Sequence, residues 1–156
     1  MPVVAKQGRL VLRPRTAAEL MSPNPMSIQA EATVAEAVAV LTDRGYCAAP
    51  VIDEAGRPVG VLSRADLLVH DRERMTHHLG RKEAVPDGFE LEETDPTLVA
   101  DVMTPAVFSV TPDASAAEVV ERMLGLKVHQ LYVVDEGGAL VGVISAMDVL
   151  RGLRPE

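Results

Sequence analysis

Cysteine occurs once in this chain, at Cys47, and tryptophan does not occur at all. A single cysteine rules out an intramolecular disulfide scaffold and a thiolate zinc cluster, and it fits a reducing, cytoplasmic setting. Aromatic residues are scarce as well, limited to Tyr46, Phe89, Phe108 and Tyr132. Stacking platforms for bases or sugars are therefore disfavoured, and the core must be built from Val, Leu, Ile, Ala and Met. No apolar run approaches the roughly 18–20 residues of a membrane span. The first fifteen residues lack the apolar core of a signal peptide. Positive charge is short: 15 Lys and Arg face 23 Asp and Glu, for a net charge of −8. Such a chain gains no long-range attraction to nucleic-acid phosphates or anionic lipid, so neither nucleic acid nor membrane is expected as a partner. What remains is 156 residues, 47% hydrophobic, enough for one ordinary domain or two very small ones sharing a core.

The chain matches itself at an offset of 82 positions. Residues 18–68 fall on residues 100–150 without a gap, and roughly a third of the positions are identical. Met21-Ser22-Pro23 meets Met103-Thr104-Pro105, and Val51-Ile52-Asp53-Glu54 meets Val133-Val134-Asp135-Glu136. Gly60-Val61-Leu62-Ser63 with Asp66 meets Gly142-Val143-Ile144-Ser145 with Asp148. Each copy of about 50 residues is too small to bury a stable core alone, so the two are expected to pack together.

Both copies predict the same series. A brief strand (Pro25–Ile28; Val107–Val110) precedes a helix opened by a capping box, Thr33 to Glu36 and Ser115 to Glu118. Apolar residues at Val34, Ala37, Val38 and Leu41, and at Val119, Val120, Met123 and Leu124, keep helical spacing. Gly45 is a natural stop in the first copy, where the second has Lys127. Strands at Ala48–Ile52 and Pro58–Leu62 follow, joined through Asp53-Glu54-Ala55-Gly56, with counterparts at Leu131–Val134 and Leu140–Ile144. A second helix begins near Ser63 or Ser145. The unit is strand–helix–strand–strand–helix, an α/β arrangement of two pseudo-symmetric repeats. Residues 1–17 read as a mobile or loosely docked arm, 18–69 as the first repeat and 98–153 as the second. Between them, 70–97 reads as a helix extension over His70 to Leu79 and an acidic, solvated linker from Pro86 to Pro96.

This duplicated series resembles the cystathionine-β-synthase (CBS) domain family in its tandem form, the Bateman module. The resemblance rests on Val-Met-Thr-Pro at 102–105, Tyr-Val-Val-Asp-Glu at 132–136 and Gly-Val-Ile-Ser-x-x-Asp at 142–148. It rests equally on their counterparts at 20–23, 50–54 and 60–66. It implies two repeats packed as one module, with regulatory binding of an adenosine-containing ligand in clefts between them: AMP, ADP, ATP or S-adenosylmethionine. It also implies a homodimer of two modules.

Two readings compete for Ser63 with Asp66 and for Ser145 with Asp148. As ligand groups, the two carboxylate oxygens take both hydroxyls of a ribose cis-diol, and the serine suits a sugar oxygen or phosphate. As structural groups, the same atoms cap a helix. The two roles are compatible. By the resemblance, Val61 and Val143 pack on adenine, against a plain core role. Residues Cys47 and Ala48, with Tyr46 before them, and Val128 and His129, with Gln130 after them, are expected to contact adenine and phosphate. The resemblance pairs Asp148 with residues 46–48 and Asp66 with 128–130. His129 is the expected cationic contact; its counterpart Cys47 brings no charge, so the two clefts should differ in anion affinity. The nearby cations Arg64, Lys127 and Arg44 are too few for a triphosphate and better suit a mononucleotide.

Other constellations are weak. His77-His78 lacks a third metal ligand at suitable spacing and reads as a solvated helix end. Neither serine has a base partner that would make it a nucleophile, and no Gly-rich phosphate loop is present. The expected function is a stand-alone, non-catalytic sensor of an adenosine-type ligand that signals to a partner by a population shift. It needs no cofactor. The rival is a ligand-independent dimerisation or adaptor module with vestigial clefts.

Overall fold

The computed structural model describes residues 8–80 and 95–156, excluding the side chains of 77–80. The acidic stretch expected as a linker therefore lies outside the described residues as far as position 94. So do the side chains of His77 and His78. The first half contains β1 (Leu10–Leu12), α1 (Ala17–Leu20), β2 (Ser22–Pro23), β3 (Ile28–Gln29), α2 (Val34–Arg44), β4 (Ala48–Ile52), β5 (Pro58–Ser63) and α3 (Arg64–Gly80). The second half contains α4 (Val99–Val102), β6 (Ser109–Val110), α5 (Ala116–Leu126), β7 (Gln130–Val134), β8 (Leu140–Ser145), α6 (Ala146–Arg151) and β9 (Leu153–Pro155). The fold is mixed α/β, with the strand–helix–strand–strand–helix series in both copies.

Local chemistry explains the element ends. The Thr33 hydroxyl accepts from the Glu36 amide at 3.2 Å, and the Glu36 carboxylate returns the bond to the Thr33 amide at 3.2 Å. Both halves of a capping box thus open α2. The second expected box is only half made. Ser115 accepts from the Glu118 amide at 3.1 Å, but Glu118 does not return a bond, and the α5 cap rests on the serine alone. Gly45 ends α2 in the left-handed region at φ 67, and Lys127 takes the same conformation at φ 56 after α5. The opening strands are shorter than the apolar runs predict. β3 pairs parallel with β4 only at Ile28 and Gln29, and β6 with β7 only at Ser109 and Val110.

The hairpins β4–β5 and β7–β8 turn the same way. Asp53 Oδ1 accepts the amides of Ala55 and Arg57 at 2.9 and 3.0 Å. Asp135 Oδ1 accepts those of Gly137 and Ala139, both at 2.9 Å.

Two compact units emerge, and they do not follow the sequence copies. One comprises residues up to Pro25 together with Phe108–Glu156; the other comprises Met26–Val107. In the first, β2 pairs antiparallel with β8, Ser22 opposite Val143, in the four-stranded order β2-β8-β7-β6. In the second, Thr104 bridges Val61 beside the three strands β3-β4-β5, with reciprocal backbone bonds of 2.9 Å. The leading segment of each copy, Ala17–Pro23 or Val99–Pro105, therefore belongs to the unit that holds the other copy's hairpin. Close approach requires glycine there. A Cβ on Gly60 would lie 2.8 Å from the Thr104 carbonyl oxygen, and one on Gly142 would run into the Met21 side chain.

The core of the first unit gathers Leu20, Val119, Met123, Leu131, Val133 and Ile144; that of the second gathers Ile28, Leu41, Val51, Leu62 and Val99. Tyr132 is the buried aromatic among the described residues, and burial pushes its phenol up to about 12. The arm expected to be mobile or loosely docked is strand-paired from Leu10 to Leu12, in register with Pro155 to Leu153.

Candidate functional site

The two Ser-x-x-Asp pairs sit where the second hairpin strand passes into a helix, β5 into α3 and β8 into α6. Their internal geometry is the same. Asp66 Oδ2 accepts the Ser63 amide at 2.9 Å and the Ser63 hydroxyl at 3.0 Å, while the Ser63 hydroxyl accepts the Asp66 amide at 3.2 Å. Asp148 and Ser145 repeat these bonds at 2.9, 3.0 and 3.2 Å. Capping is therefore a real role of both pairs.

A carboxylate oxygen offers two acceptor positions. Oδ2 is saturated in each unit, and the serine has spent its only donor proton. The expectation that both carboxylate oxygens grip a diol does not match this geometry; what remains is Oδ1. Here the units differ. Asp66 Oδ1 accepts the Thr104 hydroxyl at 3.1 Å, which leaves one acceptor position. Among the described residues, Asp148 Oδ1 takes no hydroxyl and faces Arg151 Nη1 at 3.5 Å. Thr104 was not singled out from the sequence, although the hydroxyl at 104 and at its counterpart Ser22 was a readable signal.

In the unit holding the first hairpin, the structure gathers Val61, Ser63, Asp66, Cys47 and Ala48. Ala48 is in register with Ser63, and the Cys47 carbonyl accepts the Arg64 amide at 2.9 Å. Cys47 is exposed. Arg64 turns its Nε to the Tyr46 carbonyl at 3.2 Å, so this cation is partly spent on the backbone. In the other unit, the His129 carbonyl accepts the Ala146 amide at 2.9 Å, beside Ser145. The His129 side chain, together with Val128, lines an apolar groove with Val120, Leu124 and Leu150, whereas Asp148 lines a separate pocket with Arg13 and Arg151. Val61 and Val143 are partly buried and so keep some face for a ligand.

The end of the expected acidic linker is tied down. Asp95 is buried, with Oδ2 2.7 Å from His70 Nε2 and 3.1 Å from Arg74 Nη1, and Oδ1 accepting the Thr97 amide at 3.1 Å. Burial raises its carboxyl, but the Thr97 bonds, His70 and the Arg74 charge outweigh that and hold it at about 2. No helix among the described residues is long and apolar enough to cross a membrane.

The CBS domain model matches this chain twice, over residues 17–73 and 99–155. The chain belongs to the CBS domain family. Among curated relatives of this CBS pair, subunit gamma-3 of 5'-AMP-activated protein kinase from Bos taurus is 34% identical over 78% of the chain and 22% of its own length. The magnesium transporter MgtE of Thermus thermophilus is 32% identical over 99% of the chain and 34% of its own length. The chloroplastic CBS domain-containing protein CBSX1 of Arabidopsis thaliana is 33% identical, over 76% and 55%. The CBS pair thus spans from about a fifth to about half of these relatives. Among solved structures, CBSX2 in complex with AMP superposes with a TM-score of 0.66 at 27% identity, covering 87% of this chain and 93% of that one. The cytosolic domain of the Mg2+ channel MgtE in complex with ATP gives 0.65 at 32%, covering 88% and 48%.

Proposed function

We propose that this CBS pair is a regulatory module that binds an adenosine nucleotide through Asp66, Asp148 or both, without catalysing a reaction. The observation that carries the reading is the acceptor left at Oδ1 of a carboxylate whose other oxygen is fixed by a helix cap. Such a group is preorganised to receive a ribose hydroxyl at little entropic cost. The AMP complex of CBSX2 and the ATP complex of the MgtE domain support the choice of ligand. Val61 and Val143 stand two residues before the serines, on the same strand face, and offer aliphatic surface to adenine in a chain poor in aromatics.

Signalling follows from differential affinity. The nucleotide shifts the chain between arrangements only as far as it binds them unequally, and a second copy or a partner protein reads the shift. Association into a homodimer finds support in exposed apolar side chains on the helices. Leu68 on α3 and its counterpart Leu150 on α6 are 69% and 56% exposed.

Thermal unfolding with AMP, ADP, ATP and S-adenosylmethionine tests the reading. At a hundred times its dissociation constant, a ligand adds about 2.7 kcal/mol. Asp66→Asn and Asp148→Asn are the informative variants. The amide oxygen keeps the cap, while an NH2 donor replaces the free acceptor. Loss of the ligand-induced shift in one or both variants supports the assignment. A shift that survives in the double variant removes the site, and no shift with any nucleotide removes the function.

A further inference from the structure

The offset of 82 residues places Asp95 on Arg13, Pro96 on Pro14 and His70 on Gly152. In one unit these positions hold the buried Asp95 carboxylate against the His70 ring at 2.7 Å. In the other unit an arginine stands for the acid and a glycine for the histidine. An open pocket of about 500 Å³ lies there, lined by Arg13, Glu19, Asp148, Arg151, Gly152 and Arg154. The backbone differs between the two, since α3 runs on through His70 whereas α6 ends at Arg151 with Gly152 as its cap. The Arg13 amide donates to the Gly152 carbonyl at 3.0 Å, and a Cβ at position 152 would come within 2.9 Å of Pro14 Cδ. The glycine is thus needed for the strand to close on the helix end, and the ring that fills this place in the other unit is gone.

The charges around the pocket are unevenly engaged. Glu19 accepts the Arg15 amide at 2.6 Å, and Asp148 Oδ2 is saturated by Ser145. Arg154 Nη1 donates to the carbonyls of Arg151 and Leu153 at 2.6 and 2.8 Å, which fixes its fork with Nε and Nη2 unused among the described residues. Arg151 lies 3.5 Å from Asp148 Oδ1, beyond a good hydrogen bond. The Arg13 side chain makes no bond or ion pair among the described residues. Three guanidinium groups therefore face two carboxylates, a local positive excess in a chain of net charge −8.

We infer that this pocket takes the phosphate of a nucleoside monophosphate on Arg13 and Arg151, with Asp148 Oδ1 accepting a ribose hydroxyl. Guanidinium groups bind phosphate oxygens through paired, charge-assisted bonds, and a neighbouring carboxylate would repel a phosphate unless it faced the sugar. The ribose half rests on the adenosine reading above, whereas the phosphate half does not. The counterpart place in the other unit is occupied by the Asp95–His70 pair and has an acid where Arg13 stands, so this phosphate site belongs to Asp148 rather than Asp66.

Calorimetric titrations with AMP, adenosine and inorganic phosphate, on the parent chain and on Arg13→Gln and Arg13→Glu, decide the matter. Arg13 has no side-chain partner to lose among the described residues, and unchanged thermal midpoints without ligand confirm that the variants fold. The expected result is a loss of AMP affinity of ~10-fold in Arg13→Gln and more in Arg13→Glu, with adenosine binding unchanged. AMP binding that is equal in all three chains overturns the pocket while leaving the nucleotide reading intact. If neither AMP nor adenosine binds the parent, phosphorus NMR with inorganic phosphate decides. Line broadening that Arg13→Glu abolishes supports the phosphate half on its own, and no broadening, or broadening that the variant keeps, overturns it.

Discussion

Thr104 donates its hydroxyl to Oδ1 of Asp66 at 3.1 Å, and Asp148, the counterpart of Asp66, accepts no such bond among the described residues. One residue thus makes two otherwise matching helix caps unequal. It takes one of the two acceptor positions that the cap leaves on Asp66, and both remain on Asp148. Thr104→Val removes the hydroxyl while keeping the branched shape and the backbone bridge to Val61. We expect a stability loss of about 0.5–1.5 kcal/mol in urea unfolding, the usual net value of one such bond. The Asp66 site should then bind adenosine more like the Asp148 site, measured in a background carrying Asp148→Asn. An unchanged urea midpoint would show that the bond contributes nothing.

Asp95 makes the acid limb of stability predictable in sign. Its carboxyl lies below the usual 3.8, at about 2, because the stabilising bonds outweigh burial. The folded state therefore holds the proton less tightly than the unfolded chain. The contribution is complete above about pH 4 and is lost as pH falls through 3.8 towards 2. Asp95→Asn should cost about 1–3 kcal/mol at neutral pH and flatten the fall in stability across that window. Urea midpoints measured from pH 5 down to about pH 2 check both statements. A variant whose stability falls as steeply as the parent's would show that another group governs the acid limb.

Much of the architecture was legible because it was written twice. The capping box at Thr33 and Glu36, the turns at Asp53 and Asp135, and the Ser-x-x-Asp pairs are local signals, set by residues within four positions of one another. What was not legible depended on distant pairing. The short helices Ala17–Leu20 and Val99–Val102 have four residues each, too few for a periodicity to show. Their placement, like the strand pairing of Leu10–Leu12, is decided by partners more than 35 positions away. Asp95 read as solvated because its neighbours are acidic; its partners His70 and Arg74 come from α3. The arginine pocket was invisible for the same reason, since Arg13 and Arg151 stand at opposite ends of the chain.

Lys127 carries a backbone cost that its counterpart Gly45 does not. Both end a helix in the left-handed region, at φ 56 and φ 67, and a Cβ is disfavoured there by roughly 1 kcal/mol. Lys127→Gly should therefore stabilise the chain by about 0.5–1 kcal/mol, read as a higher urea midpoint with an unchanged slope. Gly45→Lys should destabilise it by a similar amount. A neutral or destabilising Lys127→Gly would mean that the lysine side chain makes up the difference, through the aliphatic stem it lays along the groove with Leu124 and Leu150.

That groove makes the homodimer testable without a ligand. It holds about 430 Å³ between α5 and α6, and two of its leucines, Leu124 and Leu150, are 73% and 56% exposed. Leucine side chains left this open gain about 2 kcal/mol or more each when another surface covers them. A dimer formed through this face should be broken by Leu124→Asp or Leu150→Asp, with dimer association weakened ~30-fold or more in sedimentation equilibrium. Because both side chains already face solvent, the thermal midpoint of the monomeric variant should stay close to that of the parent at dilutions where the parent is itself monomeric. A parent chain that sediments as a monomer at high concentration removes the homodimer. A dimer that survives both substitutions moves it to another face, and Leu68 on α3, at the matching position of the first copy, is then the residue to change.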